Sequence, residues 1–232
     1  MTGQLPLTIR LDDAFGFENF YPRATAELAL ARLGEFATNA DGQVLLWGGS
    51  GVGKSHLLQA LCQQSAGLAI YLPLKELLSY PADAVFDGCD ASGLVVLDDL
   101  ELMADRPDWQ EGLFHLFNRL KAAGAGLGLG SRLAPNQLQG WLPDLVSRLA
   151  SAEVFHLDRF SELELGEMLA FRAQRRGLTL SAEVVRYLLS RGPRGPAELM
   201  GVLEYLDREA LARARPLTIP LINELKLFEA VR

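Results

Sequence analysis

Gly48-Gly49-Ser50-Gly51-Val52-Gly53-Lys54-Ser55 satisfies the pattern G-x-x-x-x-G-K-[ST] in full. Each residue type serves one chemistry. Glycines let a backbone wrap closely around phosphate and aim its N–H groups inward. A helix starting directly after the loop adds the positive end of its dipole at the same point. Lys54 is expected to reach the β- and γ-phosphates, and Ser55 to hold Mg²⁺. A second constellation follows in Leu94-Val95-Val96-Leu97-Asp98-Asp99, an apolar run ending in two carboxylates. Downstream of a phosphate loop, the first acid holds Mg²⁺ through water and the second polarises an attacking water. Asp98 takes the first role and Asp99 the second, although an Asp reaches less far than a Glu. The expected ligand is a purine nucleotide with Mg²⁺: ATP, ADP or another nucleoside diphosphate.

These residues need elements to carry them. Gln43–Trp47 is a short apolar run entering the glycine loop, which predicts a buried strand, and Lys54–Ser65 predicts the helix behind it. Leu68–Leu72 and Leu94–Leu97 read as further strands. The apolar spacing of Trp109–Ala123 predicts a helix, as does that of Thr25–Phe36. Ala125–Gly130 is ambiguous: its glycines weaken a strand, yet the alternation of elements asks for one. Val154–Leu157 closes the series. From Ser161 only helices follow. Ser161 with Glu164 makes a capping box for a helix through Arg175, with Gly177 as its stop. Ser181 caps another helix, Glu198–Ala214 is long and amphipathic, and Pro220 opens the last. Strands alternating with helices, then helices alone, predict a three-layer α/β domain with a parallel sheet, followed by a small all-helical lid domain. The expected boundaries are a tail at 1–13, the α/β domain at 14–159 and the lid at 160–232.

Composition narrows the function classes. The chain has 232 residues, 49% of them hydrophobic, and a net charge of −7. That balance speaks against strong direct DNA binding, which needs many Lys and Arg on one face. No apolar run reaches the roughly 18 residues that cross a bilayer, and no signal peptide is visible at the start. Cys62 and Cys89 lack metal-ligand spacing and read as free thiols of a reducing compartment, the cytoplasm. His56, His115 and His156 have no nucleophile or acid at motif spacing and read as packed or surface residues. Trp47 reads as core.

The motifs, their order and the helical tail resemble the DnaA/Hda family, in the initiator clade of the AAA+ ATPases, over nearly the whole chain. Phe15-Gly16-Phe17-Glu18-Asn19-Phe20-Tyr21-Pro22 resembles the family's F-x-N-F segment, which implies that Tyr21 and Pro22 lie beside the adenine. Leu142-Pro143-Asp144-Leu145-Val146-Ser147-Arg148-Leu149 resembles the P-D-L-x-S-R-L box, which implies that Arg148 is an arginine finger presented to a neighbouring subunit's nucleotide. Thr218-Ile219-Pro220-Leu221-Ile222 is similar to the finish of the family's Hda branch. The family's sensor 1 position falls on Ser131, with Arg132 beside it. Its sensor 2 arginine position reads Ala197, and Arg194 nearby either substitutes or does not. Gln4-Leu5-Pro6-Leu7 resembles the peptide by which bacterial proteins dock on the sliding clamp, with Gln4 in a pocket and Leu5 and Leu7 in an apolar groove. DnaA's N-terminal and DNA-reading domains have no counterpart here.

The resemblance therefore implies a regulatory protein of the Hda type. Such a protein binds the sliding clamp (the beta subunit of DNA polymerase III) and promotes hydrolysis of DnaA-bound ATP, preventing over-initiation of chromosome replication. Its own ATPase would be weak or absent, and a homodimer is among the states it could take. Two alternatives stay open at this point. One is a helicase or transposition loader of the DnaC/IstB kind acting on single-stranded DNA; the other is a relative with a vestigial pocket.

Overall fold

The computed structural model describes residues 11, 13–65 and 69–228. It divides into two compact units, one ending at Asp158 and the other beginning at Arg159. In the first unit, five strands form one parallel sheet: β1 (Gln43–Trp47), β2 (Ala69–Pro73), β3 (Leu94–Asp98), β4 (Gly126–Ser131) and β5 (Glu153–His156). Their order is β2-β3-β4-β1-β5. Such strands are covered on both faces, which is why β1 and β3 are continuous apolar runs. Period-two alternation sorts their side chains. Val44, Leu46, Leu94 and Val96 pack with Leu33 and Phe36 of α1 (Glu27–Asn39) and Leu57, Leu58 and Leu61 of α2 (Lys54–Gln64). Leu45, Val95, Leu97, Leu127 and Leu129 face the opposite layer. That layer contains α3 (Leu74–Leu77), α4 (Ala82–Phe86), α5 (Pro107–Ala123) and α6 (Pro143–Ala150). The three-layer reading of the sequence holds.

The ambiguous glycine segment is the central strand β4. Leu127 and Leu129 fill one core while Gly126, Gly128 and Gly130 turn to α1 and α2. A Cβ at Gly126 would lie 3.0 Å from the Phe36 ring, and one at Gly128 3.1 Å from Leu61. At Gly130 it would lie 2.7 Å from Leu58. The glycines are there because the helices leave no room for side chains. Their intrinsic cost to a strand is offset by the packing of both helices.

Other elements differ from the sequence reading in detail. The short helices α3 and α4 had no legible periodicity, and the P-D-L box itself forms α6. Trp47 is half-buried rather than core: its ring packs against the core and stacks on His156 with centroids 3.9 Å apart. Cys62 and Cys89 are buried free thiols, pushed by burial up to about 12 and about 11.

The second unit holds α7 (Glu162–Arg175), α8 (Ala182–Arg191), α9 (Pro196–Ala212) and α10 (Ile219–Glu224). The Ser161 hydroxyl accepts the Glu164 N–H at 3.2 Å, and the Glu164 carboxylate accepts the Ser161 N–H at 2.8 Å. This is the capping box expected from the sequence. Leu199, Leu203 and Leu206 of α9 pack on Leu169, Val184 and Leu188 as a separate core. Among the described residues, no helix is long and apolar enough to cross a membrane.

Candidate functional site

The site lies at the carboxyl ends of β1, β4 and β3, where ligands bind in open parallel sheets. Trp47 pairs in register with Ser131, and Leu97 with Leu129, so the glycine loop, Ser131 and Asp98 leave adjacent strands side by side. The Gly48 N–H donates to the Ser131 carbonyl at 3.1 Å, closing the loop onto β4. Two glycines are required sterically. Gly48 has φ +152°, and a Cβ there would collide with the Leu157 carbonyl oxygen. Gly53 has φ +106°, and a Cβ there would lie 2.6 Å from the Phe20 ring. Both conformations disfavour L side chains. Between them, Gly49, Ser50, Gly51 and Val52 complete the turn, and Val52 is buried.

Lys54 is the first residue of α2 and is 6% exposed. Its Nζ donates to the Gly48 carbonyl at 2.7 Å and the Gly49 carbonyl at 2.8 Å. Burial lowers the pKa of this amine, while the nearby charges of Glu101, Asp98 and Asp99 oppose that shift. Ser55 follows on the same first turn, at half-buried depth.

Asp98 is 2% exposed at the end of β3. Its Oδ1 accepts the Asp99 N–H and its Oδ2 the Tyr71 hydroxyl, both at 2.9 Å. The Gly130 backbone lies against the same carboxylate: a Cβ there would be 2.5 Å from Oδ1. Asp99 turns the chain out of the strand in the left-handed region, at φ 62° and ψ 45°. Burial raises its pKa, and the Asp98 and Glu101 charges add to that. Ser131 is 1% exposed, and its Oγ accepts the Leu133 N–H at 3.0 Å, which leaves its own proton to donate.

The segment carrying Tyr21 and Pro22 is laced over the loop. Phe20 packs on Gly53, and the Arg23 guanidinium donates to the Val52 carbonyl at 3.1 Å. His56 is 2.9 Å from the Gly16 carbonyl through Nε2 and stacks on Phe15. Tyr21 is half-buried and Pro22 exposed between these anchors. His56 is thus packed, as its isolation in the sequence suggested.

Other expected residues lie apart. Arg148 is on α6, half-buried, and among the described residues its guanidinium has no hydrogen-bond or ion-pair partner. Arg194 is exposed in the turn between α8 and α9 of the second unit, and Ala197 lies in the first turn of α9. Gln4, Leu5 and Leu7 lie outside the described residues. Three contributors were not read from the sequence: Tyr71, Arg23 and Glu101. Glu101 is nearly buried; its Oε2 accepts the Arg132 N–H at 2.9 Å, and its Oε1 lies 2.8 Å from Arg132 Nε. Only its position just after the acidic pair could have signalled it.

Comparison with known proteins follows the same lines. The bacterial DnaA ATPase domain model matches residues 11–71, the Hda lid domain model residues 163–225, and an RNA helicase model residues 44–123. An uncharacterised protein of Haemophilus influenzae is 34% identical over 233 residues, covering 97% of this chain and 99% of its own. Domain III of the Thermotoga maritima replication initiation protein DnaA superposes with a TM-score of 0.80 at 22% identity, over 95% of this chain and 99% of that one. AMPPCP-bound DnaA from Aquifex aeolicus gives 0.71 at 22% identity, over 85% of this chain and 66% of that one. At those identities the two structures speak for the fold alone. With the full-length relative and the two domain matches beside them, the chain belongs to the Hda- and DnaA-related family of AAA+ proteins.

Proposed function

We propose that this protein is an Hda-type regulator: it binds a nucleotide in its own loop and completes the active site of DnaA with Arg148. The observation that carries the reading is Arg148 itself. Arg148 has no carboxylate partner among the described residues, a condition Arg159, Arg186, Arg191, Arg194 and Arg208 share; it differs from them in standing in the P-D-L-x-S-R-L box on α6. A planar guanidinium held this way is available to phosphate oxygens across a subunit contact.

The loop supports the nucleotide half of the reading. A glycine loop of this kind would offer backbone N–H groups to phosphate oxygens, and Lys54 needs only to release two carbonyls to reach them. Ser55 and Asp98 would hold Mg²⁺, and the buried, oriented Asp98 carboxylate fits a hard cation. When bound, that ion neutralises phosphate charge. Tyr21 and Pro22 would border the base, and Ser131 would donate to a phosphate or a water. Asp99 would orient water; burial, with the Asp98 and Glu101 charges beside it, raises its pKa. With Ala197 at the sensor 2 position and Arg194 as the nearest replacement, the chain's own turnover is slow. Its nucleotide, ADP above all, acts as a conformational ligand. Gln4, Leu5 and Leu7 would dock the chain on the sliding clamp, bringing Arg148 to DnaA on DNA. A net charge of −7 fits recruitment by the clamp rather than by DNA directly.

The test is reconstituted hydrolysis of DnaA-bound ATP with clamp loaded on DNA. Arg148→Ala should remove the stimulation, by about 10³-fold for loss of an arginine finger, while leaving the protein's own ADP affinity unchanged. Unchanged stimulation would sink the proposal.

A further inference from the structure

Asp98 is a buried carboxylate without an ion-pair partner among the described residues, and its two oxygens are held by neutral donors. One is the backbone N–H of Asp99 and the other is the Tyr71 hydroxyl. Tyr71 comes from β2, where it pairs in register with Val96, two residues before Asp98 on β3. Positions two apart share a face of a strand, so the phenol lies along β3 toward the carboxylate. A tyrosine hydroxyl both donates and accepts. Tyr71 donates to Asp98 at 2.9 Å, and the side chain of Gln59 lies beside the same hydroxyl. Gln59 is on α2, five positions after Lys54.

We infer that Tyr71 is a positioning residue for the metal-binding carboxylate, and that Gln59–Tyr71–Asp98 is a relay tying the phosphate-binding helix α2 to the Mg²⁺ site. The inference rests on the nucleotide-binding reading given above and deepens it. Physically, the Tyr71 bond fixes the rotation of the Asp98 carboxylate about its terminal torsion, which is otherwise broad. It leaves the remaining lone pairs of both oxygens free to accept another donor or a cation. Groups that orient a metal ligand without touching the metal commonly govern its affinity. A phenol that merely filled the core would have no such effect.

The experiment compares nucleotide affinity with saturating Mg²⁺ and with chelator, using fluorescent ADP and ATP on the full-length chain. In the wild type, Mg²⁺ should tighten binding. In Tyr71→Phe the Mg²⁺-dependent tightening should fall about 10-fold, while affinity in chelator stays at the wild-type value. Equal loss in both conditions, or an unchanged Mg²⁺ effect, would overturn the inference. If Tyr71→Phe does not fold, Gln59→Leu carries the same test: a loss confined to the Mg²⁺ condition supports the relay, and an unchanged ratio overturns it. The underlying reading fails differently, because the wild type itself would then bind no nucleotide in either condition.

Discussion

Asp99 combines a backbone conformation that suits its residue type with a carboxyl environment that disfavours the charge. Its backbone is left-handed at φ 62°, a region where Asn and Asp are the tolerated non-glycine types. Its carboxyl is crowded by burial, Asp98 and Glu101, which raise its pKa. A carboxyl whose pKa is higher folded than unfolded binds its proton more tightly in the native state. Stability contributed by that proton is therefore present at low pH and lost as pH rises through the carboxylate range, up to the folded pKa. Asp99→Asn keeps the backbone preference and removes the titration. We expect it to be more stable than wild type at pH 7, by about 1 kcal/mol, or roughly 2–4 °C in Tm for a chain of this size. Thermal melts across pH 3–8 check this: the gap should open as pH rises and then level off. A gap independent of pH would show that the charge is not what the fold resists.

At the scale of elements, the strands show what a sequence can and cannot reveal. β1 and β3 were legible because a strand buried on both faces must be apolar throughout and each ends on residues with recognisable spacing. β4 was not, since its glycines answer to α1 and α2 rather than to strand preference. Four and five residues carry too little periodicity to announce α3 and α4. The same division runs through the site. Gly48 to Ser55 and Asp98 are neighbours in sequence or end a strand, and so were readable. Tyr71 reaches Asp98 only through the pairing of β2 with β3, and Arg23 reaches Val52 only by folding back over the loop. No local pattern encodes either meeting. The capping box of α7 is the counterexample in which local sequence and structure coincide. Ser161→Ala should remove the side-chain acceptor of Glu164 N–H and cost about 1 kcal/mol. Native-state hydrogen exchange should show faster exchange in α7 and its core partners, with β4 amides unmoved, because the two units have separate cores.

The whole molecule is acidic, with 29 Asp and Glu against 22 Lys and Arg. Part of the positive charge is committed internally: Arg32 to Glu153, Arg176 to Glu204, and Arg213 and Arg215 to Glu224. Such exposed pairs add little stability, about 0–1 kcal/mol each, but they use up cations that could otherwise meet phosphate. We expect direct affinity for single-stranded oligonucleotides at physiological salt at or weaker than about 100 μM, the weak end of non-specific binding. Fluorescence anisotropy checks this, and micromolar binding with a steep salt slope would instead point to a loader of single strands.

The glycine face of β4 also bears on how such a chain can diverge. Every amino acid that replaces glycine, except through deletion, brings a Cβ. At 126, 128 and 130 that atom meets the Phe36 ring, Leu61, or Leu58 and the Asp98 carboxylate. Drift is therefore resisted at these alternate positions, most at 126, where a Cβ also meets the Ala40 carbonyl oxygen at 2.9 Å, whereas Leu127 and Leu129 between them can exchange for other apolar residues of similar volume. The imprint in an alignment of descendants would be a frozen, every-other-residue stencil in the middle of the sheet. At 126 and 128 it would mark the separation between helix and strand; at 130 it would also mark the room kept for the Asp98 carboxylate.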